Sequence, residues 1–197
     1  MGHGKYIAPP RATYQVGAGE RLSLTFVVLP GESRDIEVTV DLTGEGAEAD
    51  LKGLYLCKGD EQVRFRIVMH HRAPGCVSRQ LFKGIAGGRA DVRFDGTIVV
   101  APDAQKTEAY QENHNILLSE TARVETKPQL EIYADDVKCS HGATIGRLSG
   151  DELFYMRSRG VPEAEARTLQ MISFLSPVTA ALSGQERLCV EKALQTL

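Results

Sequence analysis

A thiol and an imidazole stand two residues apart at Cys139 and His141, inside the run DDVKCSHGAT that begins at Asp135. The surrounding residues favour an extended strand, in which residues i and i+2 project from the same face. We therefore expect the two side chains to share one face, within reach of a single metal ion. Sulfur and imidazole nitrogen suit zinc, copper and iron–sulfur chemistry. The pair is a candidate metal or iron–sulfur binding site.

The same two residues also have a purely structural interpretation. Free cysteine is among the most buried residue types, so Cys139 could pack as a small hydrophobe beside a hydrogen-bonded histidine. An iron–sulfur cluster commonly needs four ligands, and the sequence contains no C-x-x-C motif. The remaining ligands would come most naturally from a partner chain. Asp135 or Asp136 could orient His141, although adjacent aspartates are also typical of turns.

Nucleophilic catalysis by the same residues is a weaker interpretation. Cysteine, histidine and aspartate are suitable types, but the strand rise holds i and i+2 groups roughly 6–7 Å apart. The sequence has no nucleophile elbow and no phosphate-binding P-loop. We therefore predict that the chain is not an enzyme, and that any ATP hydrolysis comes from a separate subunit.

Composition argues against several classes of protein. The chain has 197 residues and a formal net charge of −3, so it lacks the basic surface of a nucleic-acid-binding protein. No apolar run is long enough to cross a bilayer, and no signal peptide is visible. The four cysteines are widely spaced, which predicts free thiols in the reducing cytoplasm. We expect two of them, Cys57 and Cys189, to pack in the interior.

The first two thirds of the chain predict one strand after another. Apolar and polar residues alternate in short runs, for example over 36–42 and 63–67, as in strands with one packed face. Turn signals separate the runs, with a spacing that fits a sandwich, a barrel or a β-solenoid. Gln111, Asn113 and Asn115 would share one strand face. They could form an amide ladder between stacked parallel strands, which favours a solenoid, or a solvated polar face.

After Gly146 the pattern changes to short helices. Ser149 and Ser183 are each followed three residues later by a glutamate, the signature of a capping box. Gly160 is predicted to follow the end of the first helix. Pro162 suits the first position of a second helix, and Pro177 is expected to lie beyond the end of that helix.

The second helix carries more apolar residues than are needed to cover the end of a β body. We predict that four of them bind a partner protein: Leu169, Met171, Phe174 and Leu175. The alternative is that all four pack on the chain's own β body, as apolar helix faces usually do.

A series of ordered motifs between about residue 70 and residue 160 carries a family resemblance. The motifs are AQKT from Ala104, Q-x-N-x-N from Gln111, LLS from Leu117, P-x-LEI from Pro128, DDVKCSHGAT from Asp135 and LFY-x-x-SRG from Leu153. This series resembles the SufB/SufD family of iron–sulfur cluster assembly proteins. Its Cys-Ser-His version resembles the SufD branch more than SufB. Full-length members also carry an N-terminal region without a counterpart here, so the resemblance implies the core half of a longer protein.

The resemblance implies a fold, a function and partners. The fold would be mainly β, with a right-handed parallel β-helix core over 1–147 and a small helical segment over 148–197. The function would be that of a SufD-like scaffold subunit in the cytoplasmic SufBCD complex. The partners would be a SufB-like subunit and a SufC-like ATPase, with a homodimer as the alternative for isolated chains. Cys139 and His141 would hold iron or an iron–sulfur cluster transiently, shared with the partner chain.

Two other functions belong to different classes. A β-solenoid polysaccharide lyase or hydrolase needs clustered carboxylates or basic residues along a groove, usually with aromatic platforms. Aromatic residues make up only 6% of the chain and tryptophan is absent, which counts against sugar stacking. An interaction module without metal chemistry is the third interpretation.

Overall fold

The protein is a β body followed by three helices. A computed structural model describes residues 3–5, 11–31 and 33–197, the first segment by its backbone alone. Within the segment 1–147 that is predicted to form the β-helix core, residues 1–2, 6–10 and 32 lie outside the described residues. The strands are β1 (His3–Lys5), β2 (Arg11–Val16), β3 (Arg21–Val28), β4 (Arg34–Leu42), β5 (Glu48–Cys57), β6 (Gln62–His71), β7 (Val77–Ala86), β8 (Asp91–Val100), β9 (Glu108–Leu117), β10 (Arg123–Ile132) and β11 (Lys138–Gly146). The helices are α1 (Gly150–Ser158), α2 (Glu163–Thr179) and α3 (Gly184–Leu194).

The described strands form two parallel sheets through which the chain winds alternately. The odd-numbered strands make one sheet in the order β1-β3-β5-β7-β9-β11, and the even-numbered strands make the other in the order β10-β8-β6-β4-β2. Each strand pairs in parallel with the one two places further along the chain, for example Glu48 with Val77 and Val77 with Glu108. One turn therefore takes two strands. The predicted parallel β-helix is confirmed, and a sandwich is excluded.

Alternating residues explain why these strands close around a core. In β4, Val38, Val40 and Leu42 are fully buried between the two sheets, while the residues between them face outward. Rings from the two sheets meet in the same interior, with centroids 5.5 Å apart for Phe65–Phe82 and 4.8 Å for Phe82–Phe94. Each buried aromatic of this kind contributes roughly 1.5–3 kcal/mol of transfer free energy.

A column of left-handed residues builds the same corner in three successive turns. The N–H of Gly46 donates to the Pro74 carbonyl (3.1 Å), that of Gly75 to the Gln105 carbonyl (2.8 Å), and that of Lys106 to the Asp136 carbonyl (2.6 Å). Gly46 and Gly75 have φ near +67°, which glycine adopts without strain. Lys106 adopts φ +59° at the equivalent place. The corner therefore stacks in register from one turn to the next.

The helix ends follow the predicted caps, with one correction. Ser183 and Glu186 form a full capping box, and the Ser149 side chain accepts from the Glu152 N–H. Gly160, at φ +88°, follows α1, and the N–H of Val161 returns to the Met156 carbonyl. Pro162 caps α2 instead of occupying its first position.

The prediction that Pro177 lies beyond α2 is wrong, because this proline is inside the helix. Proline cannot donate to the carbonyl four residues earlier, here that of Ser173. The Ser176 hydroxyl donates to that carbonyl instead, at 2.8 Å. The carbonyl that proline would leave unpaired is thereby satisfied, and the helix continues to Thr179.

The helices pack on the outer face of the odd-numbered sheet. There the ends of the strands are apolar on both faces, and Leu54, Leu56 and Ile85 contact the helical segment in a second buried cluster. Met171, Leu175 and Val178 of α2 belong to this cluster, with Val190 and Leu194 of α3. This lateral position differs from the expectation that the helices cover the end of the β body. No helix in the described part of the chain has the length and apolarity to span a bilayer.

Candidate functional site at the open end of the β-helix

Cys139 and His141 lie on the interior face of the last strand. In the register of β11 on β9, Cys139 lies over Ala109 and His141 over Gln111, and both of these β9 residues are buried. Parallel in-register neighbours project to the same side of a sheet, so the pair faces the axis of the β-helix. Among the described residues no strand pairs beyond β10 or β11. The two donor groups therefore share one face at an open end.

The environments of the two donors differ. Cys139 is half-buried, packs against the interior and is a free thiol. Burial raises the pKa of this thiol, and a hydrogen bond with the Ala109 backbone partly opposes that effect. His141 is exposed. A metal at this site would have to displace a thiol proton, which makes binding depend on pH.

The row of outward backbone N–H groups at the open end is continuous in β11 and interrupted in β10. The N–H of Lys138 donates to the Thr107 carbonyl of the turn below, and that of Tyr133 donates to the Val100 carbonyl. Successive residues of a strand direct their N–H groups to opposite sides, so every second residue of β11 and β10 directs its N–H away from the body. In β11 these are Cys139, His141, Ala143 and Ile145. In β10 the alternate series includes Pro128, which has no N–H. The β11 edge is thus the more continuous pairing surface.

Amide side chains fill the interior directly beneath the pair. The Nε2 of Gln111 donates to the Oε1 of Gln80 in β7 at 3.1 Å, and both residues are buried. A Cβ on Gly96 would lie 2.4 Å from the Gln111 Nε2, so the amide extends across the interior to β8. The amide-rich run is therefore an internal network, and the solvated-face alternative is wrong.

A tyrosine from two turns below completes this network. Tyr55 crosses the face of Gly84, where a Cβ would lie 1.8 Å from its ring, and its hydroxyl donates to Asn115 Oδ1. The Nδ2 of Asn115 donates to Asn113 Oδ1 (2.7 Å), and the Nδ2 of Asn113 donates to the Tyr55 hydroxyl (3.3 Å). Burial raises the pKa of Tyr55. The three side chains form a closed ring, for which Tyr55 gave no signal in the sequence.

Other candidate ligands do not gather around the pair. Asp135 and Asp136 lie in the corner before β11, where the Asp136 N–H donates to Gln105 Oε1 at 2.9 Å, in agreement with the turn interpretation. The described residues contain no group of three or more His, Cys, Asp or Glu side chains placed to hold a metal. Cys57 is buried as predicted, whereas Cys189 is exposed, so its predicted packing is wrong.

The four predicted partner-binding residues fall into two environments. Met171 and Leu175 are buried against the outer face of the sheet. Leu169 is 44% exposed, and Phe174 is half-buried beneath the Lys83 ammonium, which lies 4.4 Å from its ring centroid. Leu169 and Phe174 line a groove of about 780 Å³ between α1 and α2, together with Tyr155. Partner binding by these residues stays a prediction.

Comparison with known proteins identifies the family. The model of the core domain of SufBD proteins, described as SUF system FeS cluster assembly, matches residues 9–174. The chain is 41% identical to SufD of Escherichia coli K12 over 147 residues, which cover 75% of the chain and 35% of that protein.

Two further relatives agree with this match. A SufBD family protein of Synechocystis is 44% identical over 63% of the chain and 28% of its own length. SufD of Bacillus subtilis is 34% identical over 74% of the chain and 33% of its own length. The chain thus spans about a third of these curated relatives. The matches give no support to the lyase or hydrolase alternative, and they show that the chain belongs to the SufB/SufD family and is most like SufD.

Proposed function

We propose that this chain is the β-helix core of a SufD-like scaffold subunit that takes part in iron–sulfur cluster assembly in the cytoplasm. The observation that carries the proposal is the position of Cys139 and His141 on the interior face of the last strand, at an end open to a second molecule. A thiol and an imidazole are a donor set suited to iron and to iron–sulfur clusters.

The site is incomplete in one chain, and this supports a shared and transient cargo. Cys139 and His141 supply two donors, whereas a cluster commonly needs four. Further ligands would come from a second β-helix that meets the open end, with a SufB-like subunit as the partner and a second copy of this chain as the alternative. Since burial favours the protonated form of the Cys139 thiol, a single chain would hold iron weakly, and pairing would create the full site.

The energy source for assembly lies outside this chain in the proposal. The sequence has no P-loop, so the chain acts as a scaffold and not as an enzyme. A SufC-like ATPase would dock on the helical segment. Leu169 and the exposed part of Phe174 are the members of the predicted set that are available to it, because Met171 and Leu175 already cover the sheet.

Substitution of the two donors in the full-length protein tests the proposal. Cys139→Ala and His141→Ala should each lower cluster assembly in cells by more than about tenfold, since loss even of a supporting residue costs about 10–100-fold in metal affinity. The thermal unfolding midpoint should stay close to that of the parent. Ser140→Ala, on the outward face of the same strand, is the matched control and should retain assembly.

Two outcomes contradict the site. If the parent and both donor variants assemble clusters equally well, Cys139 and His141 are not metal ligands. A large fall in the unfolding midpoint of Cys139→Ala, with assembly reduced only in proportion to the folded fraction, would support the interpretation of Cys139 as a packed core residue.

A further inference from the structure

A buried acceptor one strand below His141 has no partner in the described part of the chain. Gln111 is 1% exposed, and its Nε2 is used by Gln80 Oε1 at 3.1 Å. Its Oε1 is buried and has no hydrogen-bond partner among the described residues. An unpaired buried carbonyl oxygen is unfavourable, so a donor is expected to approach it.

The direction of the amide stack restricts where that donor can lie. Gln80, Gln111 and His141 occupy one column of β7, β9 and β11 in register. Because the Gln111 Nε2 donates to Gln80 in the strand below, its oxygen is the acceptor left for the strand above. The side chain of that strand in this column is an imidazole, which always carries at least one ring N–H.

Gly96 keeps the acceptor in place. The Gln111 amide lies against this glycine of β8, where a Cβ would approach to 2.4 Å of Nε2 and 2.7 Å of Oε1. The amide can therefore reach across the interior without being pushed aside. It is consequently held beneath the last turn.

We propose that Gln111 is a positioning residue for His141. Its Oε1 accepts a hydrogen bond from one ring N–H of His141 when the imidazole turns over the interior, and this selects one tautomer. The other ring nitrogen then presents its lone pair away from the amide, toward the open end. Ligating histidines are commonly oriented in this way through their second nitrogen. Only the role of the free lone pair as a ligand rests on the function proposed above.

The tautomer of His141 can be measured without metal or partner. In the chain labelled with ¹⁵N-histidine, the two ring nitrogen shifts at a pH where the imidazole is neutral report which nitrogen carries the proton. We expect one dominant His141 tautomer in the parent. Gln111→Met, which keeps the length but removes the acceptor, should give a mixture of tautomers, and Gln111→Glu, which keeps an acceptor, should restore one. Gln129→Met, at an exposed position of β10 outside this column, is the control and should leave the His141 shifts unchanged.

The outcomes separate this inference from the proposed function. An unchanged tautomer ratio in Gln111→Met, with the variant folded by circular dichroism, overturns the inference even if His141→Ala abolishes assembly. If Gln111→Met fails to fold, Gly96→Ala serves in its place, because it displaces the same amide, and an unchanged ratio there overturns the inference equally. A tautomer change in Gln111→Met, rescued by Gln111→Glu, supports it, even if His141→Ala retains assembly and the proposed function fails.

Discussion

A single buried histidine shows how strongly one residue can couple this fold to pH. His71 is fully buried in the interior, where its Nε2 is 2.8 Å from the Ser78 hydroxyl. Its Nδ1 has no partner among the described residues. Burial lowers the pKa of His71 to about 4. Its neighbour His70 points outward to Asp41, at 2.9 Å, as expected for adjacent strand residues.

Stability should fall as the pH drops below the ordinary pKa of histidine. Between pH 6.5 and about 4 the unfolded chain binds a proton at residue 71 that the folded chain excludes. The stabilisation is complete above pH 6.5 and decreases by about 3 kcal/mol on acidification to pH 4. In denaturant titrations at several pH values, His71→Leu should lose this part of the pH dependence of the free energy of unfolding. His114→Gln, at an outward-facing histidine of β9 that contacts Thr144 and Glu112, should keep it. If the free energy of unfolding depends on pH equally in His71→Leu and in the parent, folding does not exclude the proton from His71.

At the scale of the element, residues stack in columns that run across several strands. A large side chain can extend along such a column only where the neighbouring strand has a glycine. Tyr55 of β5 reaches Asn115 of β9 only because Gly84 of β7 lies between them. The three residues are far apart in the sequence. Their contact is set by the number of residues in each turn, not by any local pattern.

The Gly84→Ala substitution should therefore destabilise the protein strongly. A Cβ at this position meets ring atoms of Tyr55 at 1.8–2.6 Å, and a ring enclosed in a packed core cannot move aside. Overpacking of this kind typically costs about 1–3 kcal/mol, and this contact is severe. The free energy of unfolding from urea titration measures the effect. Gly142→Ala, where no atom lies within 4 Å of the new Cβ, should change it by less than about 0.5 kcal/mol.

Substitutions in α2 can distinguish residues that hold the helix on the sheet from residues that bind a partner protein. Leu175→Ala empties a buried position against the sheet and should cost about 2–5 kcal/mol of stability. Leu169→Asp, at an exposed position, should instead leave stability nearly unchanged and weaken binding of a SufC-like ATPase at least about tenfold, measured by calorimetry. Unchanged ATPase affinity for a folded Leu169→Asp variant would move the contact elsewhere.

Deletion of residues 161–197 should also abolish ATPase binding while pairing through the β-helix is retained. This deletion is a less specific test than the Leu169 substitution. It uncovers Leu54, Leu56 and Ile85 on the outside of the sheet, and exposed apolar patches of this kind promote association.

The sequence predicted most of these elements but not how they meet. Period-2 alternation was sufficient for the strands, and i, i+2 spacing was sufficient for the shared face of Cys139 and His141. The parallel β-helix came from the family resemblance, because alternation fits a sandwich equally well. Tyr55 could not be predicted as a network member, since its partners depend on which turns are stacked. The contact of His71 with Ser78 depends instead on how the chain bends between β6 and β7. Pro177 was placed wrongly because proline usually ends a helix, whereas here the local hydrogen bond from the Ser176 hydroxyl to the Ser173 carbonyl compensates for the missing donor.

At the scale of the whole molecule, the end of the β-helix that carries Cys139 and His141 also exposes apolar side chains on its edge strands. The end formed by β10 and β11 has unpaired strands, with Ile132 40% and Ile145 46% exposed among the described residues. Exposed strand edges with apolar residues are templates for pairing with another chain. The proline in β10 leaves β11 as the strand better suited to such pairing.

A charge on this end should prevent pairing without unfolding the chain. Ile145→Lys places an ammonium group on the inward face of β11, where a second β-helix would have to desolvate it. We expect the dimer, or the complex with a SufB-like subunit, to dissociate in sedimentation velocity experiments while the circular dichroism spectrum is retained. Ser140→Lys, which projects outward from the same strand, should pair normally. Persistence of the complex in Ile145→Lys would place the pairing surface away from this end.

The in-register stacking has a consequence for how such chains can differ in length. Each turn adds about 4.8 Å along the axis and contacts only its neighbours. An inserted or deleted turn of roughly 30 residues would therefore translate one end relative to the other in fixed steps, and the geometry of the last turn would be conserved. An insertion of one or two residues within a strand would reverse or displace every column above it. Insertions and deletions within the β-helix should thus comprise whole turns, and shorter ones should occur only in the corners between strands.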